Sequence, residues 1–169
     1  MYDQPASPSC PYRATGLTIP PMLPPLGRLL AVDWGDVRIG LALSDEIQVI
    51  ATPLETLVRR PGKRFPMPRF LELVAQHAPV GIVVGLPLTA DGGEGDSAAG
   101  AREIADAIGR RTGLPLDFWD ERMSTARALA AIREQGGSTR GRKQDVDALA
   151  AAVVLQHYLE ARRRREGER

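Results

Sequence analysis

Acidic residues stand at three places where the chain changes its pattern. Asp33 directly follows the apolar run Leu29-Leu30-Ala31-Val32, Asp120 and Glu121 follow Leu114 to Trp119, and Asp145 and Asp147 open the last apolar-periodic segment. In open α/β sheets, ligands collect at the carboxyl ends of strands, so acids placed there are candidates for chemistry. Carboxylates gathered at one point repel, and their ionised forms need a cation or a proton beside them. A set of oxygen ligands suits a hard cation, Mg²⁺ or Mn²⁺. Each acid also has an ordinary reading. Asp33 beside Gly35 makes a turn, Asp145 caps a helix and Asp147 favours its dipole, and Asp120 and Glu121 pair with Arg122. The repetition, an acid straight after an apolar strand twice over with a third at a helix start, favours the site.

Other chemistries find less support. Cys10 is the only cysteine, which rules out an intrachain disulfide and a cysteine zinc site. His77 and His157 are far apart in sequence and read as surface or interface residues, and no Ser-His-Asp or Cys-His arrangement is legible. The basic residues are better placed. Of the 22, 20 are arginine, the side chain suited to a bidentate grip on phosphate, although genomic composition also inflates arginine. Arg38 and Arg122 flank the acids, and Arg140, Arg142 and Lys143 form a Gly/Ser-rich basic loop just before Asp147. These five are the candidate substrate-binding residues. The run Arg162-Arg163-Arg164-Arg165 reads more simply as a solvated helix end. A formal net charge of +1 neither demands nor excludes nucleic acid.

The elements that must position these residues follow from periodicity. Residues 1–27 carry seven of the fourteen prolines and are expected to be a disordered or loosely extended tail. Met22 is an alternative start. Residues 28–161 are expected to form one α/β domain, and 162–169 a basic C-terminal tail. Strands are expected at Leu29–Asp33, Arg38–Ser44 (Ile39, Leu41 and Leu43 on one face) and Thr52–Val58, as an antiparallel meander. A helix around Phe70 to Ala75 ends near Pro79, and a buried strand covers Val80–Val84. A second helix carries Ala101, Ile104, Ala105 and Ile108 with Asp96 or Ser97 as its cap and Gly113 as its stop. A strand over Leu114–Trp119, a short helix from Ser124 to about Glu134 and a helix from Asp145 to about Arg163 complete the chain. The Gly92-Gly93-Glu94-Gly95 loop allows close backbone approach, though turn chemistry alone explains it. This order gives a mixed five-stranded sheet flanked by helices. No apolar span is long enough for a membrane helix, and the reading is cytoplasmic.

At these residues the sequence resembles the YqgF/RuvX-like bacterial proteins, relatives of Holliday junction resolvases in the RNase H-like superfamily. The resemblance covers roughly residues 28–161. It rests on Leu30-Ala31-Val32-Asp33-Trp34-Gly35 with Arg38-Ile39-Gly40-Leu41-Ala42 and Ser44-Asp45, and on Ile82-Val83-Val84-Gly85-Leu86-Pro87-Leu88 with Asp91-Gly92. Asp120-Glu121-Arg122-Met123-Ser124-Thr125 and Val146-Asp147-Ala148-Leu149-Ala150-Ala151, with Leu155-Gln156 and Tyr158-Leu159, complete it. It implies an RNase H-like domain in which Asp33, Glu121 and Asp147 are the catalytic, metal-binding acids, with Asp120 close behind as a metal ligand. Asp145 lies off the signature. Trp34 stands where a smaller side chain is expected. The implied activity is metal-dependent hydrolysis of nucleic-acid phosphodiesters with Mg²⁺ or Mn²⁺, of the two-metal-ion type. The implied substrates are the 5′ end of precursor 16S rRNA, met free or in pre-ribosomal particles, or a DNA junction or repair intermediate. RNA is favoured, and the state is monomer or homodimer.

Two other readings use the same residues. Actin-like and sugar-kinase-like ATPases also begin with Asp-x-Gly after a strand, but they need a second such domain to close over the nucleotide, and this chain has room for one. A non-catalytic nucleic-acid-binding assembly factor would keep the fold, yet a decayed site is expected to lose at least one of its acids.

Overall fold

A computed structural model describes residues 23–35, 37–59, 65–88, 92–93, 95–120 and 143–167. The strands are β1 (Leu29–Asp33), β2 (Arg38–Ser44), β3 (Ala51–Val58), β4 (Gly81–Leu86) and β5 (Leu116–Asp120). The helices are α1 (Met67–His77), α2 (Asp96–Thr112) and α3 (Lys143–Gly167). The strands form one sheet in the order β3-β2-β1-β4-β5. β2 runs antiparallel to β1 and β3, while β1, β4 and β5 are parallel. The expected meander and mixed sheet are therefore present, and the carboxyl ends of β1, β3, β4 and β5 share one edge.

Side-chain alternation divides the sheet into two faces. Leu30, Val32, Ile39, Leu41, Ile82 and Val84 point to a first core with Phe70 and Leu73 of α1 and Ala101 and Ile108 of α2. Leu29, Ala31, Ala42 and Val83 point the other way, to Ala151, Leu155 and Leu159 of α3. β1 and β4 are buried along their whole lengths because helices cover both faces. β3 is an edge strand with exposed positions, and it carries Pro53 where the β2–β3 register shifts between Leu41 and Ala42. A proline without an N–H is tolerated at such an irregular edge.

Element ends differ from the sequence expectation in instructive ways. α2 begins on Gly95, not on an Asp96 or Ser97 side chain: the Gly95 carbonyl accepts the Ala98 and Ala99 N–H groups at 3.0 and 3.1 Å. Gly113 ends that helix with φ 68°, as expected of its C-cap glycine. α1 has Pro68 in its first turn and stops on Ala78, just before Pro79. The short helix expected at 124–134 and residues 1–22 lie outside the described residues.

Two boundary expectations are corrected. Residues 23–27, assigned to a disordered or loosely extended tail 1–27, pack on the domain: Leu23 is buried in the α3-side core. The Gln48 side-chain amide donates to the Pro24 and Gly27 carbonyls, both at 2.8 Å, and the Gly27 N–H donates to the Glu46 carbonyl. The basic tail expected at 162–169 is helical to Gly167. Arg162 within it is turned inward, its side chain only 13% exposed, donating to the Leu23 and Pro24 carbonyls and to Gln48 Oε1. Other polar contacts pin α3 as well. Gln156 accepts the Ala51 N–H at 2.9 Å and donates to the Val49 carbonyl at 3.2 Å. The Tyr158 hydroxyl donates to Asp117 at 2.9 Å, and burial together with the Asp117 charge holds that phenol well above its ordinary range, in the donor form. No helix among the described residues is long and apolar enough to cross a membrane.

Candidate functional site

Asp33 is the last residue of β1 and continues the alternation of Leu29 and Ala31, which places it on the α3 face. It is 6% exposed. Across the ladder its partner is Gly40 of β2, and the α3 backbone comes directly against Gly40. A Cβ at Gly40 would collide with the backbone carbonyl of Asp147 and press on the Ala151 side chain. The missing side chain lets the helix sink onto the strand, and Asp147 is carried in with it to complete burial. Ala42, Ala148 and Ala151 along the same contact are small for the same reason. The α3 backbone is also tied to β3, where the Ala148 N–H donates to Thr56 Oγ1 at 3.2 Å. Asp33 and Asp147 thus come from opposite ends of the chain to one seam, with Gly40 between them.

Arg38 opens β2 and continues the alternation of Gly40 and Ala42, so it shares that face. Its guanidinium lies 3.9 Å from Asp147 Oδ2 and is one-third exposed. It faces that carboxylate on one side and solvent on the other, which is the charge-balancing contact that is the alternative to a grip on phosphate.

Asp120 ends β5, level with Leu86 of β4. Leu116 and Phe118 pack against the α1/α2-side core while Trp119 packs against the α3 side. Continued alternation gives Asp120 the α1/α2 side, opposite to Asp33 and Asp147. Glu121, Arg122, Arg140 and Arg142 lie outside the described residues. Lys143 is described only as the first residue of α3, and Asp145 only as part of its first turn. Among the described residues no group of three or more His, Cys, Asp or Glu side chains comes together.

Sequence reasoning did not single out Gly40 and Thr56. For Gly40 a signal was present: in Arg38-Ile39-Gly40-Leu41-Ala42 the large residues take one face and the small ones the other, the pattern of a strand that something approaches closely. Nor did it pair Arg59 with Trp34. The Arg59 guanidinium carbon lies 4.9 Å from the centre of the Trp34 ring, a contact between residues 25 apart in sequence that no local pattern announces.

Comparison with known proteins places this geometry in context. Residues 27–161 match the family described as RuvX: Holliday junction resolvase. A protein of Ruegeria sp. (strain TM1040) named "Putative pre-16S rRNA nuclease" is 41% identical over 143 residues, covering 83% of this chain and 89% of the relative. Proteins of the same name from Anaeromyxobacter sp. (strain Fw109-5) and Rhodopirellula baltica are 43% and 44% identical. They cover 80% and 84% of this chain, and 98% and 82% of the relatives. Among solved structures, T. thermophilus RuvC in complex with a Holliday junction substrate superposes with a TM-score of 0.50 at 16% identity, covering 80% of this chain and 95% of that one. That likeness speaks to the fold, which is RNase H-like, as the resemblance implied.

Proposed function

The chain belongs to the RuvX family, and from that premise we propose that it is a divalent-metal-dependent nuclease that trims the 5′ end of precursor 16S rRNA. Its near-complete alignment with relatives named for pre-16S rRNA supports the substrate. The observation that carries the chemistry is the burial of Asp33 and Asp147 in one seam, at the carboxyl edge of the sheet, with Arg38 beside them. Buried carboxylates drawn from a strand end and a helix fit a hard cation, Mg²⁺ or Mn²⁺, better than any softer metal. Glu121, outside the described residues, is proposed as the third acid because the family resemblance implies it. Asp33, Asp147 and Glu121 would hold such ions, which would supply an activated water and charge stabilisation for the leaving oxygen of a displacement at phosphorus.

The residues of the chain do the rest. Asp33 is the last residue of β1 and is paired with Gly40 of β2, so its carboxylate is held without loop freedom. Gly40 sets the depth of α3 and with it the position of Asp147. Arg38 stands 3.9 Å from the Asp147 carboxylate and is proposed to orient it. Arg122, Arg140, Arg142 and Lys143 are proposed to grip substrate phosphates. The setting is cytoplasmic, on free or particle-bound precursor RNA. Resolution of DNA junctions is the second reading, favoured by the family's description, and it requires a symmetric dimer that presents two sites to opposed strands.

Chelated protein should leave an RNA spanning the 16S 5′ boundary intact, and Mg²⁺ or Mn²⁺ should restore cleavage. Asp33→Asn should lose about a thousandfold in rate, some ~4 kcal/mol of transition-state stabilisation, while its melting temperature holds or rises as repulsion between the acids is relieved. Wild-type cleavage by Asp33→Asn, or full turnover in chelator, would remove the assignment. A four-way DNA junction cut in preference to the RNA would move the substrate to the second reading.

A further inference from the structure

The peptide that joins Asp147 to Ala148 is held against the sheet at both of its ends. Its carbonyl oxygen lies over Gly40 of β2, where an added Cβ would collide with it. Its N–H donates to Thr56 Oγ1 of β3 at 3.2 Å. Gly40 is the register partner of Thr56 on one side and of Asp33 on the other. Asp33, Gly40 and Thr56 therefore form one row across β1, β2 and β3, and directly paired residues share a face. The peptide lies across the second and third members of that row, and the buried Asp147 carboxylate is carried on it. The two holds differ in kind. Contact of Gly40 and Ala42 with Ala151 is apolar and non-directional, so it makes room for the helix without fixing its register. A hydrogen bond prefers a near-linear donor angle, and so sets how far the helix is turned and advanced. Gln156, Tyr158 and Arg162 hold the C-terminal half of α3. Arg38 reaches the Asp147 carboxylate, not its backbone. Thr56 holds the turn that carries Asp147. A hydroxyl has two acceptor lone pairs and an O–H, so this bond stands alongside any other contact that Thr56 makes.

We propose, resting on the nuclease reading, that Thr56 is a positioning residue for Asp147: its hydroxyl fixes the register of α3 on the sheet, and with it the place of a metal-binding carboxylate. Thr56 acts through the Ala148 peptide and touches neither metal nor RNA. The edge strand β3 thereby belongs to the framework of the site, although it carries none of the acids. Gly40 and Thr56 divide the work, one permitting the depth of the helix and the other setting its register. Valine is β-branched like threonine and suits a half-buried strand position, so Thr56→Val removes the acceptor with little change of shape or of strand propensity.

The test is Mn²⁺ binding to the RNA-free protein by isothermal titration calorimetry. Cleavage of the RNA spanning the 16S 5′ boundary and urea unfolding are measured on the same variants. Thr56→Val should bind Mn²⁺ about tenfold more weakly, the lower end of what losing an outer partner of a metal ligand costs. At saturating Mn²⁺ its kcat should fall by about the same factor, while KM for the RNA holds. Thr56→Ser keeps the oxygen and should restore most of both values. Thr56→Ala should match Thr56→Val, and it decides the matter if the valine variant does not fold. Gln156→Leu is the control. It cuts the ties to Ala51 and Val49 at the far half of the helix, so it should cost at least as much stability in urea and leave Mn²⁺ affinity and kcat as in wild type. Thr56→Val with wild-type Mn²⁺ affinity and kcat overturns the proposal, whatever its stability. An equal loss in Gln156→Leu also overturns it, because overall docking of α3 and not this bond would then set the site. Wild type that binds Mn²⁺ but cuts no RNA sinks the nuclease reading while Mn²⁺ affinity still decides Thr56; wild type that binds no Mn²⁺ overturns both.

Discussion

The two faces of the sheet are built from different materials. The α1/α2 face is bulky: Leu30, Val32, Ile39, Leu41, Ile82 and Val84 meet Phe70, Leu73 and Ile108. The α3 face is lean around Gly40, with Ala31 and Ala42 opposite Ala148 and Ala151, although Leu29, Val83, Leu155 and Leu159 also pack on it. It adds polar clamps from Gln156, Tyr158 and Arg162. The bulky face gains stability from the apolar area it removes from water. The lean face gains less, and what it obtains in return is approach. Only small residues let a helix backbone come close enough to β2 to bury Asp147 on the face that carries Asp33. On the proposed function, stability and chemistry are thus concentrated on opposite sides of one sheet, and they should respond to different substitutions.

Phe70→Ala tests the bulky side. Phe70 is fully buried and meets Phe65 edge-on, with ring centres 5.4 Å apart. Its truncation should cost about 3–5 kcal/mol in denaturant unfolding. Well below its lowered melting point the variant should keep wild-type kcat and metal affinity, because α3 does not rest on that core. A kcat that falls in step with stability would show that the two faces are one mechanical unit.

Gly40→Ala tests the lean side. The added methyl meets backbone, which cannot swing aside, so α3 must shift outward. Overpacking of this kind costs about 1–3 kcal/mol, less than the Phe70 truncation. Its catalytic cost should be larger in proportion: a displacement of Asp147 by about 1 Å is enough to lose ~100-fold in kcat. Metal affinity should fall with it. Gly40→Ala with wild-type kcat would mean that helix depth does not set the site.

This division also explains what the sequence could tell. The strands around Asp33 and the register of the meander were legible because β1 and β2 carry clear apolar runs and alternation. The acid itself stood out by following such a run. Leu23 was hidden because prolines on both sides of it, Pro21 and Pro24, make the segment look unable to pack, and its anchors, Gln48 and Arg162, are distant in sequence. Arg162 was hidden by its neighbours. A run of four arginines signals exposure on average, and nothing local says that the first one turns inward. The partner of Trp34 was likewise invisible, since the turn of the sheet that brings Arg59 over it is a tertiary fact.

The smallest effect expected is at the turn that anchors the far end of the lean face. Asp45 Oδ1 accepts the N–H groups of Val49 and Ile50 at 2.7 and 3.0 Å. These bonds close the β2–β3 turn around Gln48, which sits at φ 56°. The same turn presents the Gln48 side chain to Pro24 and Gly27, and the Val49 carbonyl to Gln156 of α3. The Ile50 N–H, more than any other group, lowers the Asp45 pKa below its ordinary value, with Val49 and the charge of Arg163 adding to it against a modest desolvation. A carboxylate depressed in the folded state contributes stability that is present above about pH 3.9, its unfolded value, and lost as pH falls through the folded one. Because Asp45 is only part-buried, solvent screening should keep that contribution under about 1 kcal/mol. Asp45→Asn retains an acceptor oxygen but not the charge, so it should be slightly less stable than wild type at neutral pH, and the gap should close as the pH drops below about 4. Urea unfolding of the two proteins from about pH 6 to about pH 3 measures the difference directly, with every other carboxylate common to both. A gap that stays constant across that range would mean the turn is held by geometry alone, and that the charge on Asp45 contributes nothing to seating α3.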